Sequence, residues 1–358
     1  MRSINNGKNS GFNIKTDFID YWDNVIKLWL SSPNSNAICA TRPQKGQSYY
    51  NHSGLLVNID LDQKPFFQND IIKRKLCPAH MPEPYWGCPC SCSIVIVNYN
   101  PGGGDDMGIH TYKFTNGNPN YLTYPPNTMI DYVNKKQYSS LALSFPIWKQ
   151  NLPQTMSWLY SYGGCEWWKR KKEWAQHLVN ASNGDVCVED VPPFAIELCG
   201  WHSPNWAYLN WANANNNNPL KKTIKDHFVK PLLYAIENSK SNLAVCIGAQ
   251  FSHSVLSIFI PCLRDVTSLV FGQLVSNSNG SYSACERNNN IAVQVNNRTR
   301  YYRVYDIYVG NKHHILLNTY APGGNHHPAK HFWTFEDDIL KAIGKYKNSV
   351  PPINTNCP

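Results

Sequence analysis

Charged side chains are scarce in this 358-residue chain, at 16% of residues, and no apolar run approaches the roughly 20 residues that a bilayer-spanning helix needs. The lack of such a run argues against helical membrane spans. The opening segment, residues 1–12, is polar and has no apolar core of a secretion signal, so the expected compartment is the cytoplasm. Several catalytic signatures are also missing. Neither H-x-E nor P-C-x-x-C occurs, which excludes the zinc deaminase pattern. G-x-S-x-G is absent, and with it the nucleophile elbow of the α/β-hydrolases. G-x-x-x-x-G-K-[ST] is absent, so there is no P-loop. No internal repeat is visible, which argues against a solenoid.

What is present is apolar and aromatic. Hydrophobic residues make up 42% of the chain and aromatics 13%, with 12 Trp and 21 Tyr, enough for a large core. The formal net charge is +9. That sign favours a polyanionic partner, since Lys and Arg on phosphates release counterions, although solubility alone accounts for it equally well. Twelve cysteines in a long chain with no secretion signal are expected to be reduced thiols.

Ser93-Ile94-Val95-Ile96-Val97-Asn98-Tyr99 is a short, continuous, β-branched run of the kind buried on both faces of a sheet. Similar runs recur at Phe194 to Leu198, Leu243 to Ile247 and His314 to Leu317. Helical spacing fills the intervals at Trp158 to Val179 and Lys221 to Asn238, and follows at Ala329 to Lys345. This alternation predicts an α/β fold: a three-layer α/β/α arrangement on a mainly parallel, four-stranded core sheet, with ligands at the strand carboxyl ends. Residues 1–80 are expected to form a helical or extended region packed on the core, with Thr16 capping its first helix and a strand at Leu55 to Leu61. Residues 81–348 would be the α/β domain, with insertions at 110–155 and 251–312, and 349–358 a tail. Ile291 to Tyr308 predicts a β-hairpin turning at Asn296-Asn297, and Cys77 to Cys92 is too rich in Pro and Cys for regular structure.

Three strand ends carry candidate chemistry. The first buried run leads from Tyr99 into Asn100-Pro101-Gly102-Gly103-Gly104-Asp105-Asp106, where Pro fixes the chain and Gly lets backbone N–H groups approach a ligand. The spacing is not a dinucleotide fingerprint, because Met107 occupies the position of the third Gly. The second run leads into Trp201-His202-Ser203, offering a stacking ring beside polar groups. The last leads into Asn325-His326-His327-Pro328 at the start of the C-terminal helix, where the helix dipole favours an anion. Each of the three also has a plain structural reading, as a Gly-rich turn, a core Trp and a capping loop.

Together these ends resemble the uracil-DNA glycosylase-like superfamily. Asn100-Pro101-Gly102 resembles its first-strand motif, and His327-Pro328-Ala329 is similar to its leaving-group loop. Pro82-Glu83-Pro84-Tyr85-Trp86-Gly87 and the segment from Ile196 to Ser203 look like a divergent bacterial branch, and the resemblance covers roughly residues 80–345. It implies a DNA glycosylase that flips out a pyrimidine base, modified or not, and hydrolyses its N-glycosidic bond. Asn100 would hold the attacking water, with Asp105 or Asp106 supplying base character that an amide lacks. His326 or His327 would donate to the leaving base. Tyr99 and Trp201 would sandwich the flipped ring, in a pocket completed by Pro101, Gly102, Gly103, His202, Ser203 and Asn325. Defence against phage with modified DNA is a role some bacterial members have. The alternative is a catalytically inactive, glycosylase-like module that binds DNA or a nucleotide.

Lys169-Arg170-Lys171-Lys172, flanked by Trp167, Trp168 and Trp174, mixes cations with stacking surface and is a candidate DNA contact together with Lys330; a solvated helix face is the other reading. Cys77, Cys88, Cys90 and Cys92 are candidates for zinc or an iron–sulfur cluster, since some members of the superfamily carry [4Fe–4S]. With no C-x-x-C, and with the run leading straight into a buried strand, no cofactor is expected. The expected partner is DNA, with no membrane, and the expected state is a monomer.

Overall fold

The computed structural model describes residues 11–22, 24–25, 62, 64–68, 84–99, 163–182, 186–188, 190–191, 193–201, 218–274, 280–310, 312–322 and 327–350. The strand anticipated at Leu55 to Leu61 and the insertion at 110–155 lie outside them.

The described chain is a mixed α/β structure on one open sheet. Its strands are β1 (Tyr85–Trp86), β2 (Val95–Asn98), β3 (Phe194–Glu197), β4 (Leu243–Ile247), β5 (Arg264–Asp265), β6 (Ser283–Glu286), β7 (Ile291–Val295), β8 (Arg298–Val309) and β9 (Lys312–Tyr320). Their order is β1-β3-β2-β4-β9-β8-β7-β6, with β5 also paired to β8. The four strands β3-β2-β4-β9 are parallel. β1 is antiparallel to β3, and β8, β7 and β6 continue the sheet antiparallel beyond β9. Four parallel strands therefore form where the β-branched runs predict them, but they are four of the nine strands of a larger mixed sheet. The hairpin expected around Asn296-Asn297 is β7–β8, and it does not stand apart from the sheet. Nine residues of β8 pair with β9, from Tyr301 to Val309, and make it a central strand.

The helices are α1 (Lys64–Gln68), α2 (Gly163–Ala181), α3 (Asn218–Ile224), α4 (Lys230–Asn238), α5 (His253–Phe259), α6 (Thr267–Phe271) and α7 (Trp333–Ser349). A wide π-helical turn at Lys225–Val229 joins α3 to α4, and another spans Ile14–Ile19. Asn13 caps the latter, its side chain accepting from the Lys15 and Thr16 N–H groups, so the cap lies three residues before the expected Thr16. In α2, Lys171, Trp174, Ala175, Leu178 and Val179 are all buried, the 3-and-4 spacing of a helix face laid on a sheet.

Strand parity shows which helix covers which face. Side chains in register across neighbouring strands point the same way. Asn98 pairs with Glu197, and Lys171 of α2 reaches Asn98, so α2 covers that face. Tyr85 pairs with Ile196, one residue before Glu197, and its ring packs 4.8 Å from Phe18 of the first π-helical turn. The N-terminal segment therefore lies on the opposite face. Cys262 is disulfide-bonded, which corrects the expectation of thiols throughout.

Candidate active site

Strand order locates the site before any side chain is considered. From β2 the chain crosses to β3 on one side, returns over β2 to β4 on the other, and ends its parallel run at β9. Loops leaving the carboxyl ends of β2 and β4 therefore depart in opposite directions. Ligands of open α/β folds bind at such a reversal.

The floor beneath β2 and β3 carries three polar side chains in an otherwise apolar layer. Asn98 ends β2 and Glu197 ends β3, in direct register. The Asn98 amide N–H donates to Glu197 Oε1 at 2.8 Å. The Lys171 ammonium donates to Asn98 Oδ1 at 2.6 Å. The amide thus lies between a cation and a carboxylate with its dipole aligned to both, which fixes its orientation. All three side chains are buried, Lys171 completely. Burial pulls the Lys171 ammonium down to about 7, against the Glu197 carboxylate, which holds it up.

A second polar cluster lies on the same face, nearer β9 and β8. Glu336 of α7 is wholly buried and accepts from Trp174 Nε1 at 2.9 Å and from the Tyr302 hydroxyl at 3.2 Å. Arg300 Nε donates to Thr319 Oγ1 at 2.7 Å. Burial drives the Glu336 carboxyl up to about 7, with Arg300 and the two donors opposing. Trp174 stands one helical turn after Lys171, so α2 spans both clusters. His327 comes in beside it, with ring centroids 6.4 Å apart. The strand-end loop carrying His327 and the floor under β2 therefore meet along one helix.

The residues singled out from sequence fare differently. Asn100, Pro101, Gly102, Gly103, Asp105, Asp106, His202, Ser203, Asn325 and His326 lie outside the described residues. Tyr99 and Trp201 are buried, Trp201 completely, and Tyr99 packs edge-on to Phe251 at 6.1 Å. Neither ring presents a face to solvent for a base to stack on, so both act here as core aromatics. His327 is half-buried.

The basic run needs a correction at one position. Successive helical residues turn by about 100°, so four in a row cannot share a face. Arg170 is exposed and Lys172 half-buried, while Lys171 points into the core and touches no solvent. Lys330 is exposed but ion-paired with Glu173 at 2.9 Å. Asn98 and Glu197 were not singled out from sequence. Their signal was a lone amide and a lone carboxylate inside apolar strand runs, which burial on both faces forces to find partners.

Among the described residues no group of three or more His, Cys, Asp or Glu is placed to hold a metal ion. Cys92 faces the core, its thiol 3.9 Å from the Ala235 carbonyl. No described helix is long and apolar enough to cross a membrane. No protein-family model matches the chain, and no curated protein and no solved structure matches it either.

Proposed function

We propose that this chain is a DNA glycosylase with a uracil-DNA glycosylase-like three-layer fold, acting at the carboxyl ends of β2 and β4. The observation that carries the reading is the Lys171–Asn98–Glu197 cluster at the topological switch point, two residues before Asn100-Pro101-Gly102. The cluster holds Asn98, the last residue of β2, in one orientation at the strand end from which the chain runs on to Asn100.

On this reading the target nucleotide leaves the duplex before its glycosidic bond is cut, since the bond is inaccessible in the stack. Asn100 holds the attacking water, and Asp105 or Asp106 takes its proton. The sugar gains oxocarbenium character as the base departs with the bonding pair. His326 or His327 donates a hydrogen bond to the departing base. His327 rests against Trp174, which is itself held by Glu336, so its loop has a rigid support. Tyr99 and Trp201 support the site from the core beneath it. Arg170 and Lys172 remain the basic contacts for phosphate, with Lys169 on the same helix and Lys171 withdrawn from the set. A pyrimidine, modified or not, is the proposed base, and phage DNA a proposed source of it.

The test is incubation with genomic DNAs that carry different bases, followed by mass spectrometry of released bases and alkaline cleavage of the DNA. A free base together with alkali-labile sites supports the reading. DNA retained without base release from any substrate would instead identify a binding module.

A further inference from the structure

At the amino end of β2, opposite the crevice, the connection from β1 carries two thiols separated only by Pro89. We propose that Cys88 and Cys90 form a thiol–disulfide couple, a site of reversible oxidation by peroxide-class oxidants. Both are free thiols, Cys88 half-buried and Cys90 exposed. The turn at Pro89 folds Cys90 back on its neighbour, and the Cys90 backbone N–H points at the Cys88 sulfur at 3.3 Å. The Tyr234 hydroxyl of α4 donates to the Cys90 sulfur at 4.0 Å. Two residues apart, the Cα atoms can be at most about 7 Å from each other, close to the span that a disulfide bridges.

The environment divides the roles. The hydrogen bond from the Cys88 thiol lowers Cys90 to about 6, Tyr234 adds to this, and the same contact pushes Cys88 up. Cys90 is also the more exposed sulfur and the one the Tyr234 hydroxyl reaches, which assigns it as the nucleophile and Cys88 as its resolving partner. The Cys90 thiolate attacks a peroxide oxygen, the O–O bond breaks, and sulfenic acid and hydroxide result. The Cys88 sulfur then attacks the sulfenic sulfur, the S–O bond breaks, and water leaves with the Cys88 proton. The two thiols lose two electrons and the peroxide gains them. Cys92, Cys199 and Cys246 are buried in the core and take no part.

The full chain should be treated with substoichiometric hydrogen peroxide and mapped by mass spectrometry, with exposed Cys187 and Cys285 as internal controls. The expected product is a Cys88–Cys90 disulfide, a mass loss of two hydrogens that thiol reductant reverses. Cys88→Ser should leave a Cys90 sulfenic acid that dimedone captures, and Cys90→Ser should abolish both products. Tyr234→Phe, with the pair intact, should slow alkylation of Cys90 relative to Cys187. Oxidation of Cys187 or Cys285 ahead of Cys90, or a disulfide yield unchanged in Cys90→Ser, would overturn the proposal.

Discussion

Removing the Lys171 ammonium leaves the Glu197 carboxylate in the core without its cation, and breaking one side of a buried charge pair typically costs about 3–5 kcal/mol. Lys171→Met should lower unfolding stability by that order in a denaturant titration. The Lys171→Met/Glu197→Gln double variant should recover part of the loss, because it no longer buries a lone charge. Equal losses in the single and double variants would mean that packing, and not charge compensation, holds the cluster. An exposed phosphate contact would behave otherwise, costing salt-dependent DNA binding and little stability. From sequence, Lys171 is hidden by its neighbours in a basic run. Its helical phase gives it away, because Trp174, Ala175, Leu178 and Val179 define the buried stripe to which it belongs. A second expectation concerns the turn after β2. On the proposed reading Asp105 and Asp106 divide the work, because adjacent side chains leave the backbone in different directions. One of Asp105→Asn and Asp106→Asn should therefore lose base release by roughly 100-fold or more while the other stays near wild type, as single-turnover rates would show.

At the scale of elements, the parallel strands were the most legible part of the chain. β2, β3 and β4 are strands of four or five residues, apolar apart from Asn98 and Glu197 at their ends, and burial on both faces is written into that composition. The β7–β8 turn was legible as well, because Asn296 and Asn297 both adopt positive φ, at 48° and 61°, the demand of a two-residue hairpin turn. Both side chains are exposed, so a substitution there tests backbone conformation alone. Asn296→Val should cost about 1–2 kcal/mol and Asn296→Gly should cost nothing or stabilise, read as shifts in thermal unfolding. What sequence did not show was where the hairpin goes. Pairing between β8 and β9 is a long-range match of Tyr301–Val309 against Lys312–Tyr320, and local patterning carries no information about its sheet position. The N-terminal helix was misplaced for a different reason. Asn13 and Thr16 are both good caps, and only the hydrogen bonds to Asn13 decide between them.

For the whole molecule, buried titrating groups set how stability varies with pH. Glu336 titrates near 7 in the folded chain, above its ordinary 4.5, so the folded state holds that proton when the unfolded state has released it. This contribution is complete below pH 4.5 and is lost as pH rises through about 7. His314 works in the opposite sense. Its ring is buried, neither nitrogen meets a hydrogen-bond partner among the described residues, and burial with nearby Lys347 and Lys312 pulls it to about 4. Its contribution is present above 6.5 and is lost as pH falls through about 4. His177 and His227 are lowered in the same direction. Glu336→Gln should therefore gain stability over wild type by about 3 kcal/mol between pH 4.5 and 8, at roughly 1.4 kcal/mol per pKa unit. Denaturation of the two proteins across that range measures the difference curve. A flat difference would show that Trp174, Tyr302 and Arg300 already hold the carboxylate ionised.

The central claim is that the turn above the Lys171–Asn98–Glu197 floor cleaves a base from DNA. The most direct test is single-turnover base release by wild type and Asn100→Ala on the same DNA, with binding measured separately. Loss of one positioning contact to the attacking water predicts release slowed by roughly 100- to 1000-fold with DNA affinity nearly unchanged. Full base release by Asn100→Ala, or no release by wild type from any DNA it binds, would contradict the claim.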